Sequence, residues 1–107
     1  MFNFFGGKNR KSMADAVKEC GENPSVCLVD VRSPEEYRGG HVPGALNLPL
    51  DNLQAAAGLL PDKNAQLYLY CLSGARSAMA TNMLRRMGYV NCNNVGGIGG
   101  YSGKLEK

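Results

Sequence analysis

The sequence predicts an α/β domain built on a mostly parallel sheet with helices on both faces. Three observations predict it. Short runs of β-forming apolar residues alternate with stretches of helical spacing, and the connections between the runs are too long for hairpins. The central run, Leu67-Tyr68-Leu69-Tyr70, has no polar alternation and suits a strand buried on both faces. At 107 residues, one domain can bury roughly two-thirds of its unfolded surface in a single core without a disulfide or a metal. We expect a short tail over residues 1–11 and a single domain over residues 12–107.

Ser12 is placed to cap a helix from Met13 to about Cys20, with Asp15 in the first turn and Gly21 past the end. Its inward face would be Met13, Ala16, Val17 and Cys20. Val26-Cys27-Leu28-Val29 reads as a short strand that leaves the core at Asp30-Val31-Arg32, with Cys27 a small buried hydrophobe. Ser33-Pro34-Glu35-Glu36 offers a capping serine, a proline at the first helical position and a glutamate three residues after the cap. A short helix through Tyr37 and Arg38 follows, and Gly39-Gly40 breaks it.

His41-Val42-Pro43-Gly44 turns the chain into Ala45-Leu46-Asn47-Leu48, an edge strand. Asp51 to Ala57 has helical character with Gly58 as terminator, and Pro61-Asp62-Lys63-Asn64 is a loop before the central strand, Gln66 to Tyr70. In the next helix Met79, Ala80, Met83, Leu84 and Met87 recur on one face, Arg85 and Arg86 fill the last turn, and Gly88 supplies the stop. Tyr89 to Val95 reads as a weaker strand, because asparagines interrupt the β-formers. It runs into Gly96-Gly97-Ile98-Gly99-Gly100-Tyr101, a flexible turn able to lie close to a ligand.

Twelve basic residues against nine acidic ones leave a net charge of +3, which suits small anions but is too weak to argue for nucleic acid. The four cysteines, Cys20, Cys27, Cys71 and Cys92, include no C-x-x-C pair, so reduced thiols in a cytoplasm are expected. His41 is the only histidine, and no Cys/His cluster has metal-ligand spacing. The apolar opening Met1-Phe2-Asn3-Phe4-Phe5 is too short for a signal-peptide core, its charges follow it, and its phenylalanines are expected to pack on the domain edge. Nothing approaches the roughly 20 apolar residues of a membrane span, so no membrane partner is expected.

The chemistry concentrates in Cys71-Leu72-Ser73-Gly74-Ala75-Arg76-Ser77, which joins the central strand to a helix. Backbone N–H groups at such a turn lack intrahelical partners and, with the helix dipole, favour a thiolate and a bound anion. With Arg76 nearby, Cys71 is expected to have a lowered pKa and to act as a nucleophile without a separate base. His41, in a Pro/Gly turn, is expected to orient backbone rather than transfer protons. Ligands gather at the carboxyl ends of parallel strands, where Asp30-Val31-Arg32, Cys71 to Ser77 and Gly96-Gly97 would meet. From the residues alone, such a site would suit phosphate, arsenate or a redox thiol equally well.

The chain resembles the single-domain rhodaneses over most of its length. The resemblance rests on Leu28-Val29-Asp30-Val31-Arg32, on Glu35-Glu36-Tyr37 continuing to Gly40-His41-Val42-Pro43-Gly44-Ala45, on Cys71-x-x-Gly74-x-Arg76-Ser77, and on Gly96-Gly97-Ile98. It implies a parallel sheet of about five strands flanked by helices, and a sulfurtransferase with Cys71 as its catalytic residue. Cys71 would take the sulfane sulfur of thiosulfate, a small anionic donor, or of a persulfide donor. The outer sulfur would then pass to cyanide in an assay, or to a thiol or protein acceptor. No organic cofactor or metal is implied. Backbone N–H groups of Leu72, Ser73, Gly74, Ala75, Arg76 and Ser77 would ring the outer sulfur, Arg76 would bind the sulfonate oxygens of thiosulfate, and Asp30 and Arg32 would form an ion pair that supports the loop. Two positions depart from the family pattern: a first strand is hard to find in Phe2 to Lys11, and Tyr101 stands where tryptophan often follows the Gly-Gly segment.

Two alternatives remain. A cysteine-dependent phosphatase or arsenate reductase uses a similar ring of amides, but its cysteine and arginine lie one residue further apart than the four-residue separation of Cys71 and Arg76. The smaller ring suits a single sulfur atom better than a tetrahedral oxyanion. A non-catalytic rhodanese-like binding or redox-sensing module is the other; such modules often lack the cysteine. Cys20, Cys27 and Cys92 are read as packing residues.

Overall fold

The computed structural model describes residues 11–107. The Phe-rich opening, and all but Lys11 of the stretch where a first strand is expected, lie outside the described residues. Within them the chain forms helix α1 (Met13–Glu22), strand β1 (Cys27–Asp30), helix α2 (Pro34–Gly39) and strand β2 (Leu46–Asn47). A 3-10 turn (Leu50–Ala55) then leads through α3 (Ala56–Leu59), β3 (Leu67–Cys71), α4 (Ala75–Arg86) and β4 (Cys92–Gly97) to a closing 3-10 turn (Ile98–Gly100). The four strands pair in the order β2-β1-β3-β4, and every pairing is parallel. The expected fifth strand has no counterpart among the described residues.

Alternation along the strands divides the core into two layers. Leu67, Leu69 and Cys71 of β3 join Val29, Leu48, Leu53, Ala56, Leu60, Ala80 and Leu84 on the face covered by α4 and α3. Tyr68 and Tyr70 point the other way, to Met13, Ala16, Leu28, Val42 and Ala45 on the face covered by α1. Every residue of β3 is buried, as the lack of polar alternation in its sequence predicts.

The helix starts follow local chemistry. Ser12 Oγ accepts the Asp15 amide at 3.1 Å. Ser33 and Glu36 form a reciprocal capping box, with Ser33 Oγ accepting the Glu36 amide and Glu36 Oε1 accepting the Ser33 amide. Gly88, at φ +105°, stops α4 as expected.

Several boundaries and one face differ from expectation. Helix α1 runs past Gly21 to Glu22, because the Asn23 amide closes one more i→i−4 bond, to Glu19 O at 2.9 Å, before Pro24 bars continuation. The segment read as a helix from Asp51 to Ala57 is a 3-10 turn kinked at Asn52 followed by α3, which contains Gly58 rather than ending at it. Strand β4 starts at Cys92, later than Tyr89, whose buried ring packs in the core while its hydroxyl donates to Leu60 O. Most consequential is α4: its buried residues are Ser77, Ala80, Thr81 and Leu84, whereas Met79 and Met83 are exposed. Ser77 Oγ donates to Asn94 Oδ1 on β4 and lies 3.5 Å from Cys71 Sγ on β3, and this rotates the helix so that a partly polar stripe faces the sheet.

Candidate active site

Cys71 is the last residue of β3 and is fully buried, with its side chain on the α4 face of the sheet. After it the chain turns through Leu72 and Ser73, both exposed, to Gly74, which enters α4 with φ +98°. The Gly74 amide donates to Cys71 Sγ at 3.0 Å, and Ser77 Oγ lies 3.5 Å from the same sulfur. Burial pushes the Cys71 thiol up, but the Ser77 hydroxyl and the amides of Ser77, Gly74 and Ser73 outweigh it, so its pKa is lowered. The other thiols behave oppositely: burial raises Cys27 and Cys92, and raises Cys20 to about 11. Cys27 is half-buried rather than enclosed, since it opens the strand at the rim of the core.

A residue that sequence reasoning passed over holds the loop. Between Leu69 and Tyr70 the β3–β4 register slips, because Leu69 pairs with Asn94 and Tyr70 with Gly96. Val95 is thus the extra residue of a bulge. Asn94 builds it, with Oδ1 accepting the Gly96 amide at 2.9 Å. The same oxygen accepts Ser77 Oγ at 2.7 Å, and Nδ2 donates to Gly74 O at 3.2 Å. The available signal was an asparagine two residues before Gly96-Gly97, the second of the Asn93-Asn94 pair; the strand reading treated it only as a weak β-former. The bulge brings Gly97 beneath the loop, where an added Cβ would stand 2.5 Å from Leu72 O.

Arg76, at the second position of α4, is bound to Glu36 of α2 by two hydrogen bonds, Nη1 to Oε1 at 2.7 Å and Nη2 to Oε2 at 3.0 Å. The capping pattern of Ser33 and Glu36 was legible, but not that the same carboxylate meets an arginine 40 residues later. Hydrogen bonding to Arg76, then to the Ser33 amide, holds the Glu36 carboxyl down at about 2. Beside Arg76 a cleft of about 280 Å³ opens between Ser33, Pro34, Pro49 and Leu50.

Asp30 and Arg32 form a buried ion pair: Nη2 lies 2.8 Å from Asp30 Oδ2, and Nε lies 3.1 Å from both oxygens. Asp30 Oδ2 also accepts the Tyr70 hydroxyl at 2.7 Å, and Arg32 Nη2 donates to Gly40 O at 2.7 Å. The pair therefore binds the end of β1 to β3, one residue before Cys71, and to the turn after α2. His41 is structural: its ring stacks on Tyr37 at 3.7 Å, and its Nδ1 bonds Tyr37 O at 2.9 Å. Residues 72–77, Glu36, Asn94 and Gly97 thus come together at the carboxyl edge of the sheet.

Comparison with known proteins agrees with this arrangement. The model of the rhodanese-like domain matches residues 12–104. The thiosulfate sulfurtransferase PspE of Escherichia coli is 42% identical over 71 residues, 65% of this chain and 68% of PspE. The putative sulfur carrier protein YrkF of Bacillus subtilis is 31% identical over 111 residues, and this chain covers 60% of its length. A solved structure of a rhodanese with anions from E. coli superposes with a TM-score of 0.70 at 38% identity, covering 76% of this chain and 96% of that one. With its parallel sheet and its cysteine loop at the strand ends, the chain belongs to the rhodanese-like domain family.

Proposed function

We propose that the protein is a sulfurtransferase that moves sulfane sulfur through a persulfide on Cys71. One observation carries the reading: a buried cysteine whose pKa is lowered by a hydroxyl and a set of loop amides, with no carboxylate or imidazole bonded to it among the described residues. Such a site stabilises the anion of a small sulfur group in place. The Cys71 thiolate attacks the outer sulfur of thiosulfate, the donor's S–S bond breaks with its electron pair leaving on sulfite, and Cys71 keeps the sulfur. A thiolate, cyanide or protein thiol then attacks that sulfur and restores Cys71. The step balances without an external oxidant or reductant.

The family membership and the name of PspE support this reading, and the name of YrkF favours a protein acceptor as one outlet. Leu72, Ser73, Gly74, Ala75 and Ser77 supply the amide ring, Arg76 anchors an anionic donor, and Asp30 with Arg32 supports the strand ends beneath it. Thiosulfate stands for the class of small anionic donors. The four cysteines are free among the described residues, which suits a reducing compartment such as a cytoplasm. Among the described residues, no helix is long and apolar enough to cross a membrane.

Incubation with thiosulfate is expected to add the mass of one sulfur atom to Cys71, reversibly with a reductant, and Cys71→Ser is expected to gain none. Wild-type protein that gains no sulfur would sink the reading in favour of a non-catalytic module.

A further inference from the structure

Arg76 does not meet the site as a free cation. Both terminal nitrogens are engaged by Glu36, at 2.7 and 3.0 Å. The Glu36 oxygen that accepts Arg76 Nη1, Oε1, also accepts the Ser33 amide at 2.9 Å within the capping box. The capping box thus fixes the carboxylate end of the pair, and the guanidinium meets it at two points. A carboxylate held on a guanidinium cancels most of the charge felt by an approaching anion, while the remaining N–H groups keep their direction. Arg76 also senses the reacting sulfur, since the charge of Cys71 adds to the upward shift of its pKa, after the larger effect of the Glu36 hydrogen bonds. An anion at the outer-sulfur position therefore faces amide dipoles and a nearly neutral ion pair, a field that holds one negative charge better than two.

We propose that Glu36 is a specificity-determining residue: by holding Arg76 in a two-point pair it selects singly charged sulfur donors, persulfides or thiosulfonates, over the thiosulfate dianion. The proposal rests on the sulfurtransferase reading and names its donor class. Glu36 touches no donor itself; it acts through Arg76 and is a positioning residue.

Glu36→Gln isolates the charge. Glutamine also serves at the third position of a capping box, and its amide oxygen still accepts from Ser33 or Arg76, so the fold is retained. In the first measurement Cys71 is alkylated with iodoacetate and with iodoacetamide, which differ in charge and need no sulfur transfer. The iodoacetate to iodoacetamide rate ratio at Cys71 is expected to rise at least about threefold in Glu36→Gln at low salt, and to return toward the wild-type value near 0.5 M salt. In the second, kcat/KM is compared for thiosulfate and for benzenethiosulfonate, a singly charged donor whose leaving group is a sulfinate. The thiosulfate to benzenethiosulfonate ratio is expected to rise by a similar factor in the variant. If both donors load sulfur and their ratio is unchanged, the proposal is overturned while the sulfurtransferase reading stands. If neither donor loads sulfur onto the wild type, both fall together.

Discussion

Ser77 Oγ donates to Asn94 Oδ1 at 2.7 Å, and through that bond the first turn of α4 is fastened to the bulge of β4. The same asparagine holds the Gly74 carbonyl and the Gly96 amide. Three backbone and side-chain groups of the cysteine loop and its neighbour strand thus converge on one amide side chain. Replacing Asn94 with alanine leaves them without that partner, which for partly buried groups costs about 1–3 kcal/mol. Asn94→Ala is expected to lower the urea midpoint accordingly and to slow sulfur loading of Cys71 by about tenfold or more, since the ring of donors loses its fixed geometry. Loading at the wild-type rate would show that the loop holds itself.

Two glycines with different surroundings make a matched pair. At Gly97 a Cβ would lie 2.5 Å from Leu72 O and 3.2 Å from Ser73 Cα, so Gly97→Ala must displace the loop. Loss of sulfur loading with a modest stability cost, about 1–3 kcal/mol, is expected. At Gly21 a Cβ would meet nothing within 4 Å and the residue lies inside α1. Gly21→Ala is expected to stabilise by about 0.5–1 kcal/mol. Paired thermal or urea melts and persulfide mass spectra test both.

Sulfur loading and alkylation of Cys71 should rise with pH around a midpoint below that of an ordinary thiol, because its donors outweigh its burial. The Ser77 hydroxyl is the largest of the lowering influences, so Ser77→Ala is expected to move the midpoint upward. The sign for stability follows: a thiol whose folded pKa lies below its unfolded value contributes stability that is present above the unfolded value and lost as pH falls through the folded one. Iodoacetamide rates from pH 5 to 10, in about half-unit steps, measure the shift. A midpoint unmoved by the serine change would assign the lowering to the amides alone.

Arg76 is expected to matter more for anionic donors than for uncharged ones. Arg76→Ala should lower kcat/KM for thiosulfate about tenfold further than for an uncharged persulfide precursor. Equal losses on both would mean that Arg76, through Glu36, shapes the loop instead of anchoring the donor.

Asp30 sits fully buried with Arg32 and Tyr70 as its side-chain partners. Arg32→Ala removes the cation bonded to it and is expected to destabilise by about 3–5 kcal/mol, the usual result of leaving a buried charge uncompensated. A replacement of both residues by Asn and Leu should recover part of that loss. Denaturant titrations with unchanged m-values would check the pair of variants.

Much of the architecture was legible because it is written in neighbouring residues. Ser12 with Asp15, Ser33 with Pro34 and Glu36, and the unbroken apolar run of β3 each specify a local conformation through contacts only a few positions apart. The cysteine turn was legible for the same reason, since a strand end, a glycine at positive φ and a helix start follow one another within six residues of Cys71. The α4 face differs because methionines suggest a core, while the helix rotation is set by Ser77, whose hydroxyl donates to Asn94 and lies beside the Cys71 sulfur.

Local pattern and backbone sterics specify the alternation of elements, their parallel arrangement and the expectation of a lowered Cys71 pKa. Which side chains complete the site depends instead on contacts between distant segments. Glu36 reaches Arg76 across 40 positions and Ser77 reaches Asn94 across 17, and no periodicity encodes a pair whose members meet only after β1, β3 and β4 have aligned. Those pairs set which groups stand beside Cys71 and how they are oriented.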